Sequence, residues 1–144
     1  MMIRPGVLNR KEFNWTIRVY YEDTDAAGVV YHSNYLRYME RARTEWLRSL
    51  GYSHNLLHET EHMVFVVSSM NIEFKQPAFF DELLNVHCRL AKLGGTSLVF
   101  EQLIRNDANE TKCRADVHIA CVDAGTFKPK RIPSSLRAEF NHDN

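Results

Sequence analysis

Glu22-Asp-Thr-Asp25-Ala-Ala-Gly28-Val-Val-Tyr-His32-Ser-Asn-Tyr35 joins a strand-like segment, Phe13 to Tyr21, to a strongly helical one that begins at Asn34 or Tyr35. Two carboxylates, a glycine and a histidine thus crowd a short connection that ends at a helix N-terminus. Such an end presents unpaired backbone N–H groups and a partial positive charge, so it polarises a carbonyl or holds an anion. Asp25 lies one loop away from those donors. A carboxylate beside an oxyanion site is the minimal equipment for acyl transfer. Two other readings exist. Asp23-x-Asp25-x-x-Gly28 opens like an EF-hand loop, but Ala27 and Asn34 stand where that loop needs an oxygen ligand and a glutamate, and no helix precedes it. Asp and Asn also serve in turns and before helices simply to satisfy backbone groups. Spacing alone leaves that last reading open.

Outward from this stretch, Leu36, Met39, Ala42, Trp46, Leu47 and Leu50 recur at helical spacing, with Arg37, Arg41, Glu45 and Arg48 between them. Ser33 or Asn34 is the expected cap, and Gly51 suits a left-handed stop. Ser53 to Glu61 reads as a short second helix. The remainder is strands. Residues Val64 to Lys75, Leu84 to Leu90 and Lys112 to Cys121 alternate with a period of two, and Ser97 to Arg105 does so less cleanly. Gly94-Gly95 and Asn106-Asp-Ala-Asn109 are hairpin connections, which make neighbouring strands antiparallel. The predicted fold is α+β: a five-stranded antiparallel sheet wrapped around one long helix, burying both amphipathic surfaces.

At 144 residues, 44% hydrophobic and 25% charged, the chain reads as one domain, 1–144, with its core at about 13–135. There is no repeat, low-complexity tract or linker to divide it. The formal charge is zero and the pI about 7.1, which gives no global field for nucleic acid or an anionic membrane. No apolar run is long enough for membrane insertion, and Met1 to Arg10 lacks a signal-peptide pattern. Cys88, Cys113 and Cys121 are odd in number and sit in apolar strand patterns, so they read as buried free thiols of a cytoplasmic protein. His54, His58 and His62 are spaced by four, but the pattern lacks H-E-x-x-H and reads as a solvated face rather than a zinc site. No metal or organic cofactor is indicated.

Tyr21-Glu-Asp-Thr-Asp25-Ala-Ala-Gly28-Val-Val-Tyr-His32-Ser-Asn-Tyr35, followed by Glu40-Arg-Ala-Arg43, resembles the signature of the hot-dog-fold acyl-CoA thioesterases. The resemblance is greatest to the YbgC-like, Tol-Pal-associated branch, related to 4-hydroxybenzoyl-CoA thioesterase. It covers roughly Trp15 to Phe140 and includes Gln76-Pro-Ala78 and Cys121-Val-Asp123 leading into Lys128-Pro129. It implies a sheet that wraps the helix, and a dimer joined edge to edge with active sites at the join; a tetramer is the larger alternative. It also implies hydrolysis of an acyl-CoA thioester to free acid and CoA, with acyl carrier protein as a second possible carrier of the acyl group. Asp25 then matches the catalytic carboxylate, as nucleophile or general base. The His32 backbone N–H matches the group that polarises the carbonyl, and its side chain is placed to orient water or substrate. Tyr21 is a further catalytic candidate, and Val30, Tyr31 and Tyr35 are expected to line the substrate. Lys128, Lys130 and Arg131 are the nearest basic cluster for the CoA phosphates; such a run is equally a solvated surface.

Two alternatives accompany this reading. A hot-dog dehydratase or hydratase would pair His32 with Glu40, whose other reading is a helix salt link to Arg37, Arg41 or Arg43. A non-catalytic module would bind acyl carriers or an envelope-associated complex. Asp25 discriminates: hydrolysis needs it, dehydration does not, and a binder can lose it.

Overall fold

The computed structural model describes residues 7–9 and 11–141. Its elements run β1 (Val7–Asn9), β2 (Glu12–Arg18), α1 (His32–Ser49), α2 (His54–Glu61), β3 (Met63–Phe74), β4 (Leu83–Leu93), β5 (Ser97–Asn106), β6 (Thr111–Asp123) and α3 (Ser134–Asn141). All strand pairs are antiparallel, in the order β1-β2-β4-β5-β6-β3. The five long strands are the expected ones. A sixth, the three-residue β1, extends the sheet beyond β2.

Alternation places one face of each central strand in the core. Leu84, Val86, Cys88 and Leu90 on β4 are buried, as are Leu98, Phe100 and Ile104 on β5 and Cys113 to Cys121 at every second position on β6. Against them α1 lays Tyr35, Tyr38, Met39, Ala42, Trp46 and Leu47. Each large aliphatic side chain among them contributes roughly 1.5–3 kcal/mol when removed from water. Trp46 anchors one end: it stacks on Phe13 at 6.1 Å and meets Phe100 and Phe140 edge-on at 5.4 and 5.7 Å. The helix stops where Gly51 adopts φ 90°, as its glycine suggested. The three cysteines are free and buried.

Three features depart from the sequence reading. First, α1 starts at His32, three residues before Tyr35. Second, β3 does not keep one alternation throughout. Ser68 is left out of the ladder between the pairs Val67–Ile119 and Ser69–His118. This bulge shifts the phase, so Met63 and Phe65 face the core on one side of it and Met70 and Ile72 on the other. Third, α3 was not anticipated; it closes the sheet end with Leu136 and Phe140. Among the described residues no helix is long and apolar enough to cross a membrane.

Candidate active site

Asp23 organises the connection between β2 and α1. Its Oδ2 accepts from the Tyr20 N–H (2.9 Å), and its carbonyl accepts from the Tyr31 N–H (3.0 Å) and Asn34 Nδ2 (2.8 Å). The loop is therefore pinched shut at its base. Within it Asp25 donates its N–H to Val29 O (2.9 Å), while its carbonyl accepts from Gly28 N–H (3.0 Å). Gly28 makes this turn at φ 82°, in the left-handed region. The Asp25 side chain spends Oδ1 on the Ala27 N–H (2.9 Å), and its Oδ2 makes no hydrogen bond among the described residues. Asp25 to Gly28 are all exposed. One carboxylate oxygen is thus held and the other faces outward.

The back of the loop is bound to the segment between β3 and β4. The Val30 N–H donates to Ala78 O (2.8 Å), and the Ala78 N–H donates to the Tyr35 hydroxyl (3.0 Å). Burial pushes the Tyr35 phenol above its ordinary pKa. Lys112, nearly buried, fixes this segment in turn. Its Nζ donates to Pro77 O (3.1 Å), lies 3.5 Å from Glu82 Oε2 and stands 5.9 Å over the Phe79 ring. Burial opposes ionisation of Glu82, but hydrogen bonds from Asn106 and the Phe79 N–H, with the Lys112 charge, outweigh it and hold the carboxyl below its usual range. Tyr38 is buried behind Asp23; its hydroxyl meets no hydrogen-bonding geometry among the described residues. Burial first, then the Asp23 carboxylate, push the phenol far above its ordinary range.

The start of α1 is the second half of the site. Tyr31 occupies the N-cap at φ −64°, ψ 133°, and no side chain caps the helix. Ser33 and Asn34, the expected caps, lie inside the first turn. The Asn34 N–H turns back to Tyr31 O (2.8 Å), and its side chain is committed to Asp23. Among the described residues nothing caps the His32 and Ser33 N–H groups, at the positive end of the helix dipole. The exposed His32 ring rests 4.4 Å from Tyr31 and 6.2 Å from Phe74.

The other sequence-derived candidates divide. Tyr31 is exposed beside His32, and Tyr21 is exposed on the single 3₁₀ turn before the loop, edge-on to Phe80 at 5.7 Å. Val30 and Tyr35, each 4% exposed, stand behind the loop and hold it instead of facing outward. Glu40 is exposed two turns after His32 and makes no salt link to Arg37, Arg41 or Arg43; it accepts from Thr44 Oγ1 (3.2 Å). His54, His58 and His62 are exposed, and among the described residues no three potential ligands gather as a metal site.

Lys128, Lys130 and Arg131 lie at the far end of β3 from the Asp25 loop. Lys128 O accepts from the Asp123 N–H (2.8 Å), and Asp123 pairs with Met63, whereas Phe74 beside His32 pairs with Cys113. Eleven strand steps separate Met63 from Phe74, roughly 36 Å. Lys130 Nζ donates to Glu61 O at the end of α2. In one copy of the chain this cluster therefore does not meet Asp25.

A cavity of about 350 Å³ opens between the second half of α1, α2, the first half of β3 and α3. Trp46, Leu57, Phe65 and Phe140 give it apolar walls, and Glu40, Thr44, His54 and Arg43 supply its polar groups. Sequence reasoning overlooked it, together with the structural parts of Asp23, Asn34 and Ala78. A signal for the cavity existed: Arg43 interrupts the apolar stripe formed by Met39, Ala42, Trp46 and Leu47.

Residues 19–140 match the model of the thioesterase-like superfamily. The chain is 45% identical over 133 residues to the acyl-CoA thioester hydrolase YbgC of Escherichia coli O157:H7, spanning 92% of this chain and 98% of that one. It is 44% identical over 131 residues to the acyl-CoA thioesterase YbgC of Haemophilus influenzae, spanning 90% and 95%. Among solved structures, a probable thioesterase from Bartonella henselae superposes with a TM-score of 0.80 at 38% identity, covering 85% of this chain and 99% of that one. With a sheet wrapped on one helix and a carboxylate loop at that helix's uncapped start, the chain belongs to the thioesterase-like superfamily, and within it to the YbgC acyl-CoA thioester hydrolases.

Proposed function

We propose that Asp25 and the uncapped start of α1 carry out the acyl-CoA thioester hydrolysis of this family. The observation that carries the reading is the Asp23 knot, which ties the Asp25 loop and the first turn of α1 to a single backbone carbonyl. The thioester carbonyl oxygen accepts from the His32 N–H, where the helix end stabilises the charge that develops on it. Asp25 Oδ2 either attacks the carbonyl carbon or takes a proton from the attacking water. The C–S bond then breaks and sulfur leaves as the CoA thiolate, a leaving group that needs no strong acid. On the general-base route the acyl carbon keeps the water oxygen and departs as the free acid. On the nucleophilic route a water hydrolyses the mixed anhydride on Asp25, freeing the acid and restoring the carboxylate. The His32 ring orients water or substrate, and Tyr21 and Tyr31 border the open side. The test is thiol release from short, medium, long and aromatic acyl-CoAs, and from acyl carrier protein thioesters, by the wild type and by Asp25→Asn.

The reading includes a second copy of the chain and a single domain with its core at about 13–135. β3 is a twelve-residue edge strand with Val67, Ser68, Ser69, Asn71, Glu73 and Phe74 exposed, an open template that a copy of itself can cover. Antiparallel pairing about a two-fold axis near Ser68 and Ser69 sets the Val64 end of one strand beside the Phe74 end of the other. The cavity and the Lys128–Arg131 segment of one copy then approach the Asp25 loop of its mate. The acyl group enters the first, and the CoA phosphates meet the second. Buried free thiols at Cys88, Cys113 and Cys121 agree with a reducing, cytoplasmic location.

A further inference from the structure

Arg43 is the unexplained group of the cavity. It is a mostly buried guanidinium on α1 that lines an otherwise largely apolar chamber. Its Nη1 donates to Gln102 Oε1 (2.8 Å). Gln102, itself fully buried on β5, is oriented by donating Nε2 to Met39 O (3.1 Å) and to Cys88 Sγ (3.0 Å). Gln102 has therefore spent its amide and offers only that one oxygen. Among the described residues Arg43 makes no other hydrogen bond and no ion pair within 4 Å. A guanidinium carries five N–H donors. Gln102 takes up one of them, and in this largely apolar chamber a bound acceptor can take up others as charge-assisted hydrogen bonds. Burial also lowers its pKa below the usual arginine range, though the nearby Cys88 and Glu40 oppose this.

The neighbouring polar groups are engaged with one another. Thr44 Oγ1 donates to Glu40 Oε1 (3.2 Å) and lies 3.2 Å from His54 Nε2. They form a band along one wall of the cavity and leave Arg43 as its unspent donor. At about 350 Å³ the chamber lies at the small end of ligand sites, roughly 300–1,000 Å³.

We propose that Arg43 reads an oxygen acceptor on the acyl group, remote from the thioester, so that the enzyme selects compact acyl or aroyl groups bearing a hydroxyl or carboxylate over plain alkyl chains of equal length. The inference rests on the thioesterase reading, but not on which copy of the chain supplies Asp25. A charge-assisted hydrogen bond of this kind is worth about 1.5–3 kcal/mol, or roughly ten- to 150-fold in kcat/KM. A site built around a polar contact also penalises analogues that leave the contact empty.

The test is kcat/KM for three acyl-CoAs of matched length, ending in methyl, hydroxyl or carboxylate, with the wild type, Arg43→Gln and Arg43→Met. The expected result is at least a tenfold preference of the wild type for one oxygen-bearing substrate; whichever is favoured identifies the acceptor. Arg43→Gln should shrink that preference, and Arg43→Met should bring all three substrates to the level of the alkyl one. Equal or better turnover of the alkyl thioester by the wild type overturns the proposal without recourse to any variant. So does a preference that survives intact in a folded Arg43→Met protein. Calorimetric binding of the three thioesters to Asp25→Asn separates the two readings. Discrimination in Kd there supports the Arg43 contact, whereas continued hydrolysis by Asp25→Asn would count against the Asp25 mechanism alone.

Discussion

The backbone N–H of Gly28 closes on the carbonyl of Asp25 at 3.0 Å, and Gly28 alone in the loop stands at positive φ, 82°. The carboxylate is thus aimed by a turn whose shape depends on one residue without a side chain. A carbon added at Gly28 would touch nothing within 4 Å, so a replacement there is opposed by backbone conformation and not by crowding.

Replacing Asp25 by Asn keeps the Ala27 contact and the turn while removing the base or nucleophile. Thiol release should fall at least about a hundredfold with little change in the urea midpoint. A folded Asp25→Asn enzyme turning over at the wild-type rate would sink the mechanism. If Glu40→Gln were the inactive variant instead, a dehydratase-like site would take its place.

Gly28→Val should lower kcat and cost about 1–2 kcal/mol of stability, because a β-branched residue resists left-handed backbone. Gly28→Asn should retain most of both, since Asn visits that region readily. Chemical denaturation and thiol release, run in parallel, measure the pair. Equal effects from Val and Asn would show that conformation is not what the turn requires.

Cys88 and Cys113 are pushed by burial from about 9 to about 12, and the Tyr35 and Tyr38 phenols are raised too. Each is neutral in the fold, whereas the unfolded chain gives up these protons earlier. The stability they contribute is therefore complete below about pH 9 and is lost as pH climbs from 9 towards 12. For Cys88 the slope is roughly 1.4 kcal/mol per pH unit. Urea unfolding at pH 8, 9.5 and 10.5 should show this decline, and Cys88→Ala should have a lower baseline but a shallower slope. An unchanged slope in Cys88→Ala would remove this thiol from the account.

Much of this was legible in the amino-acid order. Period-two runs such as Leu84 to Leu90 and the stripe from Met39 to Leu50 disclose strands and helix because burial imposes those periods locally. What escaped is what distant residues decide. Tyr31 caps α1 although Ser33 and Asn34 are better capping residues, because Asp23 O, eight positions back, takes the Tyr31 N–H. The bulge at Ser68 was hidden because Val64, Phe65, Val66 and Val67 are all apolar, so either phase looked like a core face. α3 offers only Leu136 and Phe140 as apolar anchors, and its packing partner Trp46 lies far away in sequence. The candidate site divides in the same way: the proposed roles of Asp25 and His32 come from a local motif, whereas Ala78 and Gln102 act only through long-range contacts.

The dimer reading predicts complementation. Asp25→Asn lacks the carboxylate, and Lys128→Ala/Arg131→Ala should raise KM for acyl-CoA with kcat little changed, more so at low salt. Lys130 is left in place because of its bond to Glu61 O. If phosphate contacts come from the mate, mixing and re-annealing the two variants should regenerate sites of wild-type KM. If both features belong to one copy, the mixture should keep the raised KM. Light scattering should give at least a homodimer, and a fully active monomer would refute the arrangement.

The clasp between Val30, Ala78 and the Tyr35 hydroxyl bears on the tempo of turnover. Amides in surface loops commonly exchange with deuterium almost as fast as free peptides, yet the Val30 N–H is locked onto the Ala78 carbonyl and the Ala78 N–H onto the core phenol of Tyr35. They should exchange on the timescale of the central strands. A loop so fastened at its base should not swing as a whole at each cycle. Substrate and product should then pass a standing doorway, and turnover should be indifferent to solvent viscosity when the chemical step is the slow one.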